Sequence, residues 1–277
     1  MSANAIAQKR GVLIKRFLIP SARFWPLALM LTCGAVSAEP IAVRHIEGTV
    51  RGFLVLHTLE GETLATGDLV QVVDGDRMTS HLMFRFKDGS IDDETTVYSQ
   101  RDVFRLISNH HVQKGPSFPH PIDLSIDTSS GQVTARSIDK HGKEQVTTDH
   151  LDLPTDLANG LITILVKNIP RDAPETKVSL VAATPKPRLV KLAISPGGVQ
   201  PFSVAGSRRR AMRYFVKVEI GGVAGVVAPL VGKQPQDTQV WILGGEAPAF
   251  LRSQGPTHIG GPVWVIELTS PVWPRAR

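Results

Sequence analysis

The sequence predicts a mainly β protein, a long antiparallel meander that forms a curved sheet or open barrel with one helix packed against it. Apolar and polar residues alternate over many short segments, which is typical of half-buried strands. Asp-Gly pairs and other turn signals separate these segments, as in sequential hairpins. Apolar residues recur at helical spacing in one stretch, 153–170.

Residues 1–38 have the composition of a secretory signal peptide. They carry basic residues and no acid, and an apolar run follows at 25–36. Because small residues stand at positions 36 and 38, where signal peptidase requires them, we predict cleavage after Ala38. The mature chain, 39–277, is then a single β-rich domain exported to the periplasm.

A retained membrane anchor and a lipidated cysteine are the alternatives for this leader. Pro26 interrupts the apolar run, which is also shorter than the roughly 20 residues that span a bilayer. Cys33 lacks the small preceding residue that is typical of a lipidation site. Since Cys33 is the chain's only cysteine, the mature domain has no disulfide, thiol nucleophile or zinc-thiolate site.

The excess of basic residues lies mostly in the leader. Residues 1–38 hold five of the 31 Lys and Arg residues and none of the 25 Asp and Glu residues. The mature chain is therefore close to neutral, and we expect no nucleic-acid partner. The remaining basic cluster, Arg208, Arg209 and Arg210, is predicted to be a solvated loop rather than a phosphate site.

The first half of the mature chain is predicted to be a run of antiparallel strands. Its first strand is long and bends at Gly48 and Gly52. Asp-Gly turns follow at 74–75 and 88–89. The predicted strands are 41–57, 68–73, 78–87, 95–99, 103–112, 122–126 and 132–138.

Residues 153–168 are predicted to form the helix. Pro154 suits its first turn and Pro170 ends it. The helix either covers one end or face of the sheet or forms a lid over a cavity. Its predicted buried stripe is Leu157, Leu161, Ile164 and Leu165.

Strands are predicted again after the helix. Gly221 and Gly222 favour a tight hairpin between two of them. No linker or internal repeat separates the two halves, so one domain is the simpler account. The predicted strands are 177–183, 188–194, 211–220, 223–230, 240–243 and 262–268.

His110 and His111 are the first candidates for a metal site. Neighbouring residues of a strand point to opposite faces, so the pair cannot hold one ion together. One of them with His120 or a carboxylate remains an alternative. We favour histidines with surface or hydrogen-bonding roles, and predict neither a metal nor a cofactor.

The acidic residues Asp88, Asp92, Asp93 and Glu94 are a second candidate site, for calcium. They lack the ligand spacing of an EF-hand loop. A charged hairpin tip also protects a sheet edge from aggregation. We therefore predict that this run is a hairpin tip.

No motif predicts a catalytic residue, since G-x-S-x-G is absent. The Pro-rich corner 114–121 has a restricted backbone. It either carries the chain to a new strand or forms a ligand rim that contains Phe118 and His120.

Three segments together resemble a group of uncharacterised exported bacterial proteins. They are the run KDGSIDD to SSGQV at 87–133, LPTDLANG at 153–160 and GVAGVVAPLVGKQPQDTQVWI at 222–242. This resemblance implies no activity and no site residue. The plan of a meander with an inserted helix is also similar to lipocalin-like and periplasmic lipoprotein-carrier folds, whose half-barrels shelter acyl chains.

The sequence favours a non-enzymatic periplasmic binding or carrier protein for an apolar or lipid-like ligand, held between the sheet's apolar face and the helix. The alternative is a cell-envelope interaction or assembly module that binds a protein partner through an exposed edge strand. A hydrolase with an unrecognised polar site is the second alternative. The residues predicted to line the ligand site are Leu82, Phe84, Phe86, Phe104, Leu106, Phe118 and His120.

Overall fold

The computed structural model describes residues 40–138, 141–204, 207–219 and 236–269. Within them, strands β1 to β14 form one antiparallel sheet, in the order β8-β7-β6-β5-β4-β3-β2-β1-β14-β13-β12-β11-β10-β9. This sheet and its single helix confirm the predicted fold class. The elements are β1 Val50–His57, β2 Thr63–Asp74, β3 Arg77–Phe86, β4 Ile91–Gln100, β5 Phe104–Lys114, β6 Ile122–Asp127, β7 Gln132–Ile138, β8 Glu144–His150, α1 Ile162–Asn168, β9 Thr176–Ala182, β10 Arg188–Val204, β11 Ser207–Glu219, β12 Thr238–Leu243, β13 Ala249–Pro256 and β14 Val263–Thr269.

Strands β1 to β8 pair with their neighbours along the chain, as the alternating pattern predicts. Both Asp-Gly turns are confirmed, because Gly75 and Gly89 have φ values of 59° and 87° between β2 and β3 and between β3 and β4. β1 also pairs with β14, which joins the two halves of the sheet. The predicted leader, the Gly221-Gly222 hairpin and the strand 223–230 lie outside the described residues.

The first strand is shorter than predicted. β1 begins at Val50, whereas 41–57 was the predicted range. The backbone N–H groups of Arg44 and His45 both donate to Asn168 Oδ1, at 2.8 Å each. Asn168 is the last residue of α1, so this part of the segment contacts the helix, whereas residues 41–43 hydrogen-bond to residues 102–104 at the start of β5.

The helix is also shorter than the predicted 153–168, since α1 is Ile162–Asn168. Gly160 has a φ of 68°, in the left-handed region that favours glycine. A Cβ atom at this position would collide with the Thr96 hydroxyl of β4. The predicted stripe is buried nevertheless, although only its second half is helical; its members are Leu157, Leu161, Ile164 and Leu165.

Residues 156–159, the edge segment, run along β9 and cover the last edge of the sheet. The Ala158 N–H donates to the Ser179 carbonyl at 2.9 Å. The Asn159 side chain donates to the Val181 carbonyl at 3.0 Å and accepts from the Val181 N–H at 2.9 Å. The amide of Asn159 therefore takes the place of a neighbouring strand at Val181.

Two strands were not predicted. β13 ends in Gly255 and Pro256, which resemble a turn signal. β8 is largely polar and exposed, so it lacks the alternation of a half-buried strand. Arg208, Arg209 and Arg210 are exposed as predicted but lie in β11, so the predicted loop is wrong.

Buried side chains form two large clusters on one face of the sheet, the inner face, and a small cluster of Ala211, Trp241 and Leu251 on the other face. The main cluster joins inward residues of β3 to β7 and β9 to β12 with the segment 157–169. The second, aromatic cluster contains Phe84, Phe86, Phe118 and Trp264 with residues of β1 and β2. All described residues belong to one compact unit, Ser37–Arg277. None of the described helical structure has the length and apolar character needed to cross a bilayer.

Candidate functional site

Six polar side chains lie next to each other on the inner face of β4 and β5. The register pairs Asp92 with Gln113, Glu94 with His111, and Thr96 with Asn109. Because side chains alternate along a strand, all six point to one face, the face that also carries Leu82 and Phe84 of β3. We call this group the polar belt; its members are Asp92, Glu94, Thr96, Asn109, His111 and Gln113.

Hydrogen bonds connect the end of the polar belt that contains Asp92 and Gln113, which we call its upper part. His111 Nε2 bonds to Asp92 Oδ1 at 2.7 Å. Gln113 Nε2 donates to Asp92 Oδ2 at 2.9 Å and to the Thr257 carbonyl at 3.0 Å. Both oxygens of Asp92 therefore accept hydrogen bonds, and Gln113 links the belt to the loop between β13 and β14.

The lower part of the polar belt, the end that contains Thr96 and Asn109, is buried under Gly160. Asn109 Nδ2 donates to Glu94 Oε1 at 2.9 Å and to Thr96 Oγ1 at 3.0 Å. A side chain at Gly160 would collide with Thr96 and Asn109. The segment that leads into α1 therefore lies directly on this end of the belt.

His111 is positively charged at neutral pH. Burial disfavours its charged form, but the charges of Glu94 and Asp92 and the hydrogen bond that His111 donates to Asp92 outweigh burial and raise the pKa to about 9. Its side chain is 20% exposed and that of Asp92 is 13% exposed. The belt thus contains an imidazolium between two carboxylates at a partly accessible position.

The aromatic cluster borders the upper end of the polar belt. The Phe86 and Phe118 rings are 5.2 Å apart, and the Phe118 and His258 rings are 5.4 Å apart. Burial lowers the pKa of His258, whereas the nearby Asp92 raises it and His120 lowers it further. His258 is therefore a neutral ring packed among aromatic side chains.

Three buried polar atoms next to this site have no hydrogen-bond partner among the described residues. They are Asn109 Oδ1, Thr257 Oγ1 and His258 Nδ1. Buried polar atoms are nearly always paired, so each unpaired atom calls for an explanation.

The residues predicted to line a ligand site are divided between the two clusters. Phe84, Phe86 and Phe118 are buried in the aromatic cluster, and the half-buried Leu82 packs against it. Phe104 and Leu106 belong to the main cluster, on the other side of the polar belt. His120 is exposed in the Pro-rich corner. Their role in ligand binding stays a prediction.

The two adjacent histidines point to opposite faces, as predicted. His110 Nε2 bonds to Asp123 at 2.9 Å on the outer face, with a side chain that is 55% exposed. His111 lies in the polar belt. Within the described ranges, no three His, Cys, Asp or Glu residues are arranged to hold a metal ion.

The predicted acidic hairpin tip is wrong for three of its four residues. Asp88 lies in the turn, but Asp92, Asp93 and Glu94 lie within β4. Asp93 points outward and bonds to His81 at 2.7 Å, whereas its two neighbours join the belt. Partner side chains on β3 and β5 make a strand of charged residues stable there.

The polar belt itself was not predicted. Its signal in the sequence is two alternating sets, D-x-E-x-T on β4 and N-x-H-x-Q on β5. Polar residues at every second position share a face, but neither set shows which face is the inner one. Pairing with Leu82 and Phe84 of β3 decides this, and that pairing is a property of the fold.

Ser179, Lys191 and Asp156 form a second polar cluster at the β9 edge. Lys191 Nζ donates to Ser179 Oγ at 2.7 Å, and Ser179 Oγ donates to Asp156 Oδ1 at 2.8 Å. A lysine that activates a serine must be neutral, but Lys191 forms an ion pair with Asp156 at 3.1 Å. Since Ser179 is only 1% exposed, the cluster fastens the edge segment and does not present a nucleophile.

A polar cleft of about 460 Å³ lies between two turns, the one that joins β2 to β3 and the one that joins β4 to β5. Its ion pair joins Arg101 Nε to Asp76 Oδ2 at 2.6 Å. The cleft contains none of the predicted ligand residues. It is lined by Asp76, Ser99, Arg101, Asp102, Val103 and Arg105.

Comparison with known proteins gives a structural likeness and no family. No family model matches it, and no curated protein matches it. A solved structure with a similar fold is the crystal structure of a β-barrel-like protein of domain of unknown function DUF1849 from Brucella abortus. The two are 10% identical, with a TM-score of 0.44, over 82% of this chain and 98% of the other.

Proposed function

We propose that the protein is an exported, non-enzymatic binding or carrier protein for an apolar or lipid-like molecule, which it holds on the inner face of the sheet. The observation that supports this is a partly exposed row of apolar side chains beside the polar belt. Val50 is 46% exposed and Leu268 is 47% exposed, while Leu69 and Leu82 are half-buried. We call these four residues the apolar strip.

The apolar strip is continuous across four neighbouring strands, β14, β1, β2 and β3. The register places Gly52 beside Leu69 and Leu69 beside Leu82. A Cβ at Gly52 would lie 3.6 Å from Leu69 Cβ and 3.7 Å from Leu268 Cδ1. Gly52 therefore leaves a shallow space between two leucines, which an aliphatic chain fits.

The helix-facing half of the sheet is a weaker candidate for the ligand surface. Leu161 and Val166 are fully buried there and pack into the main cluster with strands from both halves. We therefore place the ligand on the apolar strip and not between sheet and helix. Of the predicted ligand residues, Leu82, Phe84, Phe86 and Phe118 are on or next to the strip.

Native mass spectrometry and solvent extraction of the exported protein test this proposal. We expect an apolar molecule to co-purify with the wild-type chain and to be lost from Leu82→Gln. Met83→Gln is the matched control, because Met83 is the next residue of β3, also half-buried, and points to the outer face. A wild-type protein without any bound molecule, and without affinity for added aliphatic probes, would refute the proposal.

An interaction module of the cell envelope is the second candidate, favoured by β8. β8 is the other terminal strand of the sheet, and among the described residues no strand pairs with the outer edge of residues 146–150. It pairs with β7 at seven positions without a bulge, and Val146 is 52% exposed. A regular terminal edge of this kind can accept an extended segment of a partner protein.

Capture from envelope extracts tests the β8 edge. We expect Val146→Lys to abolish capture of a protein partner, because a lysine on an edge strand blocks further pairing. Val72→Lys is the control, since Val72 is 51% exposed but lies on β2 inside the sheet. Equal capture by both variants would exclude β8 as the binding edge.

A further inference from the structure

We infer that the polar belt and residues 257–258 bind a cationic, hydrogen-bond-donating head group of the ligand, of the primary ammonium class. The inference rests on the proposed function, because the head group would lie beside a chain held on the apolar strip. Leu82 and Glu94 are register partners on β3 and β4, so strip and belt are in contact.

The unpaired polar atoms indicate that the described residues do not supply a hydrogen-bond partner for every polar group of the site. Asn109 is 2% exposed, and its Oδ1 has no hydrogen-bond partner among the described residues. Thr257 Oγ1 and His258 Nδ1, at the other end of the belt, are also buried without a hydrogen-bond partner among the described residues. An unpaired buried acceptor costs about 1–3 kcal/mol unless something donates to it.

The amide donors of the belt are already engaged, whereas acceptors remain. Both hydrogen bonds of Asn109 Nδ2 go to Glu94 and Thr96. Both hydrogen bonds of Gln113 Nε2 go to Asp92 and the Thr257 carbonyl. The acceptors that remain beside the apolar strip are the carboxylates of Asp92 and Glu94, and carboxylates recognise N–H or O–H donors.

The charge of the belt also favours a cation. Asp92 and Glu94 supply two negative charges and His111 one positive charge, which leaves one net negative charge in the polar belt. Asp93, the next acid, points outward and pairs with His81. An anionic head would face two carboxylates in a partly buried setting, where repulsion is strong. An ammonium group instead compensates the excess charge and supplies three donors.

Titration calorimetry of the purified chain with three probes of equal tail length tests the inference. The probes are n-octylammonium, octyltrimethylammonium and octanoate. We expect n-octylammonium to bind roughly tenfold more tightly than either comparison compound, since it alone combines positive charge with N–H donors.

Each alternative result has a separate meaning. Equal or tighter binding of octyltrimethylammonium or octanoate would overturn the head-group inference and leave the proposed function intact. Absence of binding by all three probes would overturn both. The wild-type series decides the question without any variant.

Two variants locate the head group. Glu94→Gln and Asp93→Asn each remove one carboxylate charge from neighbouring positions of β4, on opposite faces of the sheet. We expect the preference for n-octylammonium to disappear in Glu94→Gln and to persist in Asp93→Asn. Circular dichroism confirms that both variants are folded, and equal loss in both would overturn the assignment to the polar belt.

Discussion

His111 makes the stability of the protein depend on pH. Its pKa is raised to about 9, above the ordinary value near 6.5 of an unfolded chain. The native state therefore binds this proton more tightly than the unfolded state does. The stabilisation is complete below about pH 6.5 and is lost as the pH rises through 9.

We predict that the free energy of unfolding falls by roughly 2–3 kcal/mol between pH 6.5 and 9.5 on account of His111. Urea unfolding at a series of pH values measures this. The decline should be absent from His111→Gln and present in His110→Gln, whose histidine lies on the outer face. An identical decline in both variants would contradict the assigned proton.

Gly160 is predicted to tolerate no side chain. Gly160→Ala introduces a left-handed alanine and a collision with Thr96, so we expect a loss of about 2–4 kcal/mol in the free energy of unfolding. Gly89→Ala shares the positive φ but meets no atom within 4 Å, and should lose only about 1–2 kcal/mol. Urea denaturation compares the two, and equal losses would show that the contact with Thr96 is unimportant.

At the scale of single residues, the sequence predicts which side chains share a face of a strand but not which residues they contact. The opposite orientations of His110 and His111 follow from the alternation of a strand. The stretch from Asp92 to Thr96 is polar at every position, so it gives no contrast between a buried and an exposed face. The belt depends on partners from β3, β5 and the 257–258 loop, which are distant in sequence.

The edge segment shows how an element can differ from its predicted type. Residues 153–161 have the apolar spacing of a helix, but Asn159 bonds to Val181 and Gly160 turns the chain. Pairing with the β9 edge satisfies backbone groups that a helix would have satisfied internally. Tertiary contacts therefore override helix propensity in this segment.

We predict that Asn159→Ala loosens β9. Without the side-chain amide, the Val181 N–H and carbonyl lose their partners, at a cost of about 1–3 kcal/mol. Amide exchange at Val181 should accelerate, which hydrogen–deuterium exchange measures. Thr148→Ala, on the exposed strand β8, should change stability by less than about 0.5 kcal/mol. Unchanged protection at Val181 would contradict the role of the edge segment.

Over the whole molecule, the segment 157–169 connects the two halves of the sheet. The main cluster contains side chains of β4 to β7 and of β9 to β12, and these meet on the segment. The sequential pairing of the first strands and the two Asp-Gly turns follow from the sequence pattern. The packing of both halves on this segment does not, because it requires contacts between strands far apart in sequence.

We predict that the halves unfold together. Leu161 is 1% exposed within the connecting segment, and Leu161→Ala should lower the free energy of unfolding by about 2–5 kcal/mol. Amide protection in β6 and β10 should fall by the same factor, since both strands pack against one cluster. Loss of protection in only one of them would show that the halves are independent.

The two edges of the sheet differ, and this difference limits how many copies of the chain could join by backbone hydrogen bonds between edge strands. Two copies joined along β8 would use the same edge twice and be related by a two-fold axis. Growth beyond two copies would need the β9 edge, which residues 156–159 occupy. Within the part of the chain that the structure describes, pairing along β8 would therefore stop at a closed pair, because an open fibre would need a second such edge.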